Sequence, residues 1–278
     1  MTFGARGVSV SFDGTTALRD VSVDVPDAAV IAVVGGDGAG KSTLLRTLVR
    51  QVAPDSGTVD APGKADLGYL PASSGSWAAL TVAQNLDFAA GAYGLAGAAL
   101  EQRRTELLAA ADLTAASDRL ASQLSGGMRR KLGFLMAIVH RPRLVVLDEP
   151  STGVDPVSRI DLWRLISEEA ASGTAVVMST TYLDEAERAG HLVVLDAGEV
   201  LVQGSYDDVR ASFAGAVTRS VTAGATPVRP EWSWRRGHAR HEFWPDGEPP
   251  VGSDVVAPDL EDIVIALSLE RRLAGVAR

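Results

Sequence analysis

The sequence contains no cysteine, which excludes disulfides and thiolate metal sites and fits a reducing compartment such as the cytoplasm. Long apolar runs are also missing. Charged residues or glycines interrupt each one well before the ~18 residues that a membrane-spanning helix needs. The opening Met1–Gly7 lacks the extended apolar region of a signal peptide. The expectation is a soluble protein that meets a membrane only through a partner. Basic residues are the minority, with 26 Lys and Arg against 35 Asp and Glu and a net charge of −9. That balance argues against a general polyanion-binding surface and leaves room for a local basic patch. There is no internal repeat and no low-complexity segment. Aromatic residues make up only 5% of the chain, but apolar residues reach 46%, enough for a substantial core. The 278 residues suit one large domain, or a main domain with a smaller appendage.

Alternation of apolar and polar residues predicts half-buried strands at Val8–Phe12 and Val21–Val25, with Asp13-Gly14 as a turn signal between them. Val30–Val34, Leu144–Leu147, Ala175–Met178 and Leu192–Leu195 are continuously apolar, as strands buried on both faces are. Leu67–Leu70 reads as a short strand ended by Pro71. Residues from Thr81 to about Val139 are rich in Ala, Leu, Glu and Arg and read as helical. Asp155 reads as an N-cap, with Pro156 at the first helical position and Gly173 closing that helix. Buried strands alternating with helices predict an α/β fold with a largely parallel core sheet. Ligands bind at the carboxyl ends of strands in such sheets. After about Ser205 the character changes. Residues 212–258 hold Trp232, Trp234, Phe243 and Trp244 among prolines and glycines, and predict a small strand-rich appendage. Leu260, Ile263, Val264 and Leu267 recur at helical spacing after a capping Asp259.

Residues 35–43 read Gly-Gly-Asp-Gly-Ala-Gly-Lys-Ser-Thr, directly after the apolar run Val30–Val34. This pattern is a phosphate-binding loop. Its glycines let backbone N–H groups curl around a chain of phosphates. Lys41 reaches the β and γ phosphates, and the Ser42 hydroxyl holds Mg²⁺. A helix opening near Lys41 turns its positive end toward the same anion. Gly35, Gly36, Asp37, Gly38, Ala39, Gly40, Lys41, Ser42 and Thr43 are therefore read as a nucleoside triphosphate site. Asp148 and Glu149 end a later apolar strand. There an acidic residue can hold Mg²⁺ through water, and its neighbour can orient or deprotonate an attacking water. Lys41, Asp148 and Glu149 are the expected catalytic set, with Ser42 and Asp148 on the metal. Leu124-Ser125-Gly126-Gly127-Met128 precedes a helix and forms a second anion-binding concavity.

Gly35–Thr43, Leu124–Met128, Leu144–Pro150 and Ser151–Asp155, in this order, resemble the ATP-binding subunit of an ABC transporter. The resemblance covers residues 1 to about 205. It implies a P-loop cassette with an N-terminal antiparallel β-subdomain and a helical signature subdomain at about 74–140. Residues 206–278 are left as a small α+β accessory domain. It further implies that ATP and Mg²⁺ are bound between two cassettes arranged head to tail. Ser125, Gly126 and Gly127 then contact the γ-phosphate held by the opposite subunit, and Asp155 lies in the loop crossing between the sites. Phe12 matches the aromatic that stacks on adenine, the competing reading being a core strand residue. Leu80–Leu86, Ala92–Leu95, Tyr182–Arg188 and Leu260–Leu267 resemble ATPases paired with ABC-2-type export permeases. A separate polytopic permease and a place on the inner face of the cell membrane follow from that resemblance.

Two positions depart from the pattern. Ala72 stands where the family has a glutamine that contacts Mg²⁺ or the attacking water and relays state to the permease. Thr181 stands where it has a histidine that contacts the γ-phosphate. Met128 replaces the signature's usual glutamine. Weakened hydrolysis with retained ATP binding is expected, Ser73 or Ser74 and Thr180 being the candidates for slipped substitutes. Two other functions stay open: a nucleotide-binding regulatory half of a heterodimer, and a soluble ABC ATPase acting on nucleic acid or ribosomes. Trp232–Arg236 through Trp244 mixes bases with aromatics, and a small β-domain with tryptophans inward and arginines outward is preferred to a nucleic-acid surface. Arg129-Arg130-Lys131 reads either as support for a partner's nucleotide or as a solvated helix face. His238 and His241 lack a third ligand for a metal.

Overall fold

The structure is a computed structural model and describes residues 3–221 and 227–276. Met1 and Thr2 of the opening pattern, and 222–226 within the expected appendage, lie outside the described residues. The chain divides into two compact units after Val200.

The first unit opens with a hairpin of β1 (Phe3–Phe12) and β2 (Thr15–Val25). Asp13 and Gly14 both take positive φ, 48° and 80°, as the two-residue turn of a twisted hairpin requires. Both strands are longer than the alternation predicts. Register shifts between Ala5 and Val8 and between Val8 and Val10 break the period of two. Next come β3 (Val30–Val34), α1 (Lys41–Leu48), β4 (Ser56–Asp60) and β5 (Leu67–Leu70). Helices α2 (Val82–Ala92), α3 (Gly97–Ala110) and α4 (Gly126–Ile138) follow. The unit continues through β6 (Leu144–Leu147), α5 (Pro156–Ala171), β7 (Ala175–Thr180), α6 (Leu183–Ala186) and β8 (His191–Asp196). Along β9 (Glu199–Gly204) the chain passes into the second unit.

β2, β1 and β4 form an antiparallel sheet, and β5-β6-β7-β3-β8 lie in that order as parallel neighbours. Every residue of β3, β6 and β7 is buried, which explains their unbroken apolar runs. One core joins the two sheets through α1. Leu44, Leu45 and Leu48 sit among Val8, Leu18 and Val21 on one side and Ile31, Val146 and Val177 on the other. Truncating any of these leucines to alanine costs about 2–5 kcal/mol. Parallel order matters for function because it brings the C-terminal ends of β3 and β6 to one sheet edge.

The helical segment is tied down by polar contacts. Thr81 and Gln84 form a capping box on α2, and Arg104 of α3 pairs with Asp87 of α2 at 2.6 Å. Asn85 is fully buried. Its Oδ1 accepts from Trp77 N–H at 2.7 Å, and its amide donates to Trp77 O, Leu80 O and Thr81 O.

In the second unit, α7 (Tyr206–Ser212) precedes β10 (Ala216–Ser220), β11 (Ser233–Arg236), β12 (Ala239–Trp244) and β13 (Val255–Val256). The strands pair antiparallel in the order β11-β12-β10-β13, and α8 (Leu260–Val276) ends the described chain. Asp259 caps α8, accepting from Asp262 N–H at 3.0 Å. Val217, Phe243 and Ala266 form the core, with Phe213, Trp232 and Trp234 packed against it. Trp244 is buried and its Nε1 donates to Thr218 Oγ1. Arg236 pairs with Asp259 and Glu261, and Arg229 with Asp246. His241 Nδ1 lies 2.8 Å from buried Asp262 Oδ1, whereas His238 is exposed. Among the described residues no cluster of three metal-binding side chains occurs, and no helix is long and apolar enough to cross a membrane.

Candidate functional site

The phosphate loop leaves β3 through positions that tolerate no side chain. A Cβ on Gly35 would lie 2.3 Å from Leu195 O, and one on Gly40 2.7 Å from Ala17 O. Gly40 also has φ 104°, in the region that favours glycine. α1 opens at Lys41, so its free N–H groups and positive end face the loop. Buried Lys41 donates from Nζ to Gly35 O at 2.8 Å and to Gly36 O at 3.1 Å, and lies 3.9 Å from Glu149 Oε1. The loop and Glu149 border an open pocket of about 270 Å³. Ala17 also lines it, a residue that sequence reasoning missed because a small apolar strand residue carries no signal.

Asp148 is fully buried at the end of β6. Its Oδ1 accepts from Ser42 Oγ at 3.0 Å and from Ser179 Oγ at 2.8 Å. Its Oδ2 is buried with no hydrogen-bond partner. A bare carboxylate oxygen is costly to bury. Set beside the Ser42 hydroxyl, it fits a small divalent cation that takes oxygen ligands. Glu149 adopts φ 48°, an uncommon conformation for a residue with a side chain. Its N–H donates to Ser179 Oγ at 2.9 Å, and its Oε2 accepts from Thr152 Oγ1 at 3.2 Å. Ser179 therefore holds both acidic residues. Nothing in the sequence singles it out, since it ends an apolar strand like any other small polar residue.

Ser125 caps α4, accepting from Met128 N–H at 3.2 Å, and Asp155 caps α5, accepting from Val157 and Ser158 N–H. The Ser158 backbone and hydroxyl hold the Asp155 carboxyl below the usual carboxylate range. Gly127 is buried against this turn. A Cβ there would meet Ser158 Oγ at 2.4 Å. The signature loop and the Asp155 turn thus touch each other, while Ser125 and Gly126 are exposed. The described lining of the phosphate-loop pocket includes neither them nor Phe12. Phe12 is 49% exposed at the end of β1, which removes the competing core reading for that side chain.

Ala72 and Thr181 are both exposed. Thr180 is not a slipped substitute for the histidine. It is 1% exposed, its Oγ1 donates to buried Glu185 Oε2 at 2.8 Å, and the same oxygen accepts from Tyr182 N–H. Glu185 also accepts from Ser151 Oγ at 2.8 Å, so this hydroxyl is committed to a structural network. Ser74 Oγ bonds to Ser76 Oγ at 3.0 Å, and Ser73 is exposed. The reading of Arg129-Arg130-Lys131 as a solvated helix face fails as well. Arg129 donates to Leu124 O, Arg130 to Ser73 O, and Lys131 is buried beside Asp161. Next to Thr181, the Arg159 guanidinium of α5 stacks 4.5 Å over the Tyr182 ring.

The family model described as ABC transporter matches residues 18–152. Over 222 residues the chain is 40% identical to the probable multidrug ABC transporter ATP-binding protein YbhF of Escherichia coli (strain K12), covering 76% of this chain and 38% of that protein. The chain thus spans well under half the length of that relative. It is 35% identical over 224 residues to the daunorubicin/doxorubicin resistance ATP-binding protein DrrA of Streptomyces peucetius, covering 77% and 68% of the two chains. A solved ATP-binding subunit of an ABC transporter superposes with a TM-score of 0.70 at 29% identity, covering 77% of this chain and 93% of that one. With the phosphate loop, the paired acidic residues and the signature turn in their places, the chain belongs to the family of ABC transporter ATP-binding proteins.

Proposed function

We propose that this chain binds ATP with Mg²⁺ at Gly35–Thr43 and drives export through a separate membrane permease, at the inner face of the cell membrane. The observation that carries the reading is the buried, unpartnered Asp148 Oδ2 beside Ser42 at the mouth of the loop. Ser42 and Asp148 hold the metal, which when bound neutralises charge on the phosphates. Lys41 exchanges the Gly35 and Gly36 carbonyls for phosphate oxygens. Glu149, aimed at Lys41 and steadied by Thr152, orients and deprotonates the attacking water. Phe12, exposed at the end of β1, is free to stack on the base. ATP binding measured with wild type and Lys41→Ala tests this. Loss of Mg²⁺-dependent binding in the variant is expected, and equal binding contradicts it.

Exposed Ser125 and Gly126 at the start of α4 favour a head-to-tail pair of cassettes, in which each chain's signature turn meets the nucleotide of the other. The contact between Gly127, Ser158 and Asp155 supports moving that turn and the crossing loop together. An apolar groove of about 310 Å³ lies between the loop after β5 and the helices, lined by Trp77, Phe88, Tyr93 and Met136. Trp77 and Phe88 meet edge to face and are 45% and 56% exposed. A permease segment with apolar side chains is the occupant that suits it. The printed names of the relatives, a multidrug transporter and a drug-resistance protein, support export.

Ala72 and Thr181 support slow hydrolysis. The exposed Thr181 leaves the histidine position with a neutral side chain, and the Thr180 hydroxyl is committed to Glu185. The same two residues support a second reading, a regulatory half of a heterodimer that binds ATP and turns it over weakly. Action on nucleic acid has little support. Two arginines of the second unit, Arg236 and Arg229, are engaged with carboxylates.

A further inference from the structure

Position 72 has lost its amide, yet the main chain on both sides of it is gripped. The Arg130 guanidinium, from the second turn of α4, donates to Ser73 O at 3.1 Å and reaches Pro71 O at 3.5 Å. These contacts bracket Ala72 through carbonyl groups, which any residue at 72 leaves in place. Three residues further along the same helix face, a Cβ on Gly133 would lie 2.3 Å from Ser74 O. The loop is therefore seated on α4 at two points. Its other end is fixed to the catalytic strand, where Asp148 N–H donates to Leu70 O at 2.8 Å. Burial pulls Arg130 below the usual arginine range, and the carboxylates of Glu149 and Asp148 oppose that pull. α4 is also the helix that carries Ser125 at its N-cap.

We infer that Arg130 is a positioning residue for ATP hydrolysis: it fixes residues 71–73 on the signature helix through the Pro71 and Ser73 carbonyls. The inference rests on the ATPase reading above and goes beyond it. It assigns the placement of this loop to the Arg130 guanidinium, so that the placement survives the alanine at 72. Both bonds come from one guanidinium nitrogen, Nη1, and a lysine would bring a shorter, more strongly hydrated ammonium to the same carbonyls.

Phosphate release and binding of a fluorescent ATP analogue, measured on the full chain, test it with wild type, Arg130→Ala, Arg130→Lys and Arg130→Ala combined with Ala72→Gln. Arg130→Ala is expected to lose about 10²-fold in kcat, as a misplacement of about 1 Å does, with KM for ATP unchanged. Arg130→Lys recovers part of the loss, and Ala72→Gln does not restore Arg130→Ala. Wild-type kcat in Arg130→Ala overturns the inference, whatever its melting temperature, because a merely structural clamp alters stability and not kcat alone. Should Arg130→Ala fail to fold, Arg130→Lys decides: lowered kcat at unchanged KM is the expected result, and wild-type kcat overturns it. Wild type without turnover above Lys41→Ala overturns the ATPase reading itself, and this inference with it.

Discussion

The Ser42 hydroxyl donates to Asp148 Oδ1 across 3.0 Å, although 106 positions separate the two residues. β3 and β6 make this meeting possible, since parallel strands deliver both residues to one sheet edge. The free Oδ2 beside that bond is the feature that asks for a cation. Asp148→Asn replaces the oxygen or turns it into a neutral acceptor. Its apparent Mg²⁺ affinity, read from a Mg²⁺ titration of ATP binding, should fall by at least about 10-fold. An unchanged titration would remove Asp148 from the metal.

Glu149 is placed by its neighbours rather than by its own conformational preference: φ is 48°, and Ser179 and Thr152 hold its backbone and carboxylate. Glu149→Gln keeps the shape and removes the base. Phosphate release should fall by about 10²–10⁴-fold while ATP binding persists. Turnover equal to wild type would move the base elsewhere.

The phosphate loop leans on a turn that no motif marks. Gly198 N–H donates to Ala39 O at 3.0 Å, and Gly198 O accepts from Arg19 N–H at 2.7 Å. With φ 82°, a Cβ at this position would lie 2.7 Å from Ala17 O. Gly198→Ala should cost about 1–3 kcal/mol from the backbone strain alone and weaken ATP binding, because Ala17 and Ala39 border the pocket. Chemical denaturation and nucleotide titration of the variant report the two effects. If neither moves, the turn is no support for the loop.

Stability should also respond to pH through His140. Its ring stacks on Tyr93 at 3.5 Å, Nε2 lies 3.2 Å from Leu67 O, and Nδ1 is buried without a partner. Burial is the main cause that lowers its pKa from 6.5, opposed by the Leu67 carbonyl. The unfolded chain therefore takes up the proton first as pH falls. The stability that neutral His140 contributes is present above pH 6.5 and is lost as pH falls through the lower folded value. Denaturation midpoints across that window should decline more steeply for wild type than for His140→Gln. Parallel declines would remove His140 as the cause.

Much of the site was legible because its rules are local. A run of glycines before Lys41, an Asp-Pro helix start at 155–156 and a Ser cap at 125 each act within a few residues, and the structure places each as a turn or cap. The first two strands were read too short because Gly7 and Asp20, both at positive φ, interrupt the alternation. What the sequence hid is non-local. Ser179 joins the Asp148 carboxylate to the Glu149 backbone N–H from 31 and 30 positions away, and Arg130 reaches carbonyls 57 and 59 positions back. A side chain's partner across the fold leaves no spacing to read.

Phosphate release from MgATP, measured on wild type beside Ala72→Gln, Thr181→His and the double variant, tests most directly whether binding and turnover are separated in this chain. Both positions are exposed and accept the larger side chains. Wild type should bind MgATP and release phosphate slowly. Each restored side chain should raise the rate, by up to about 10²–10³-fold where it regains a contact to developing charge, with the double variant short of the product. A wild-type rate already equal to that of all three variants would contradict the account.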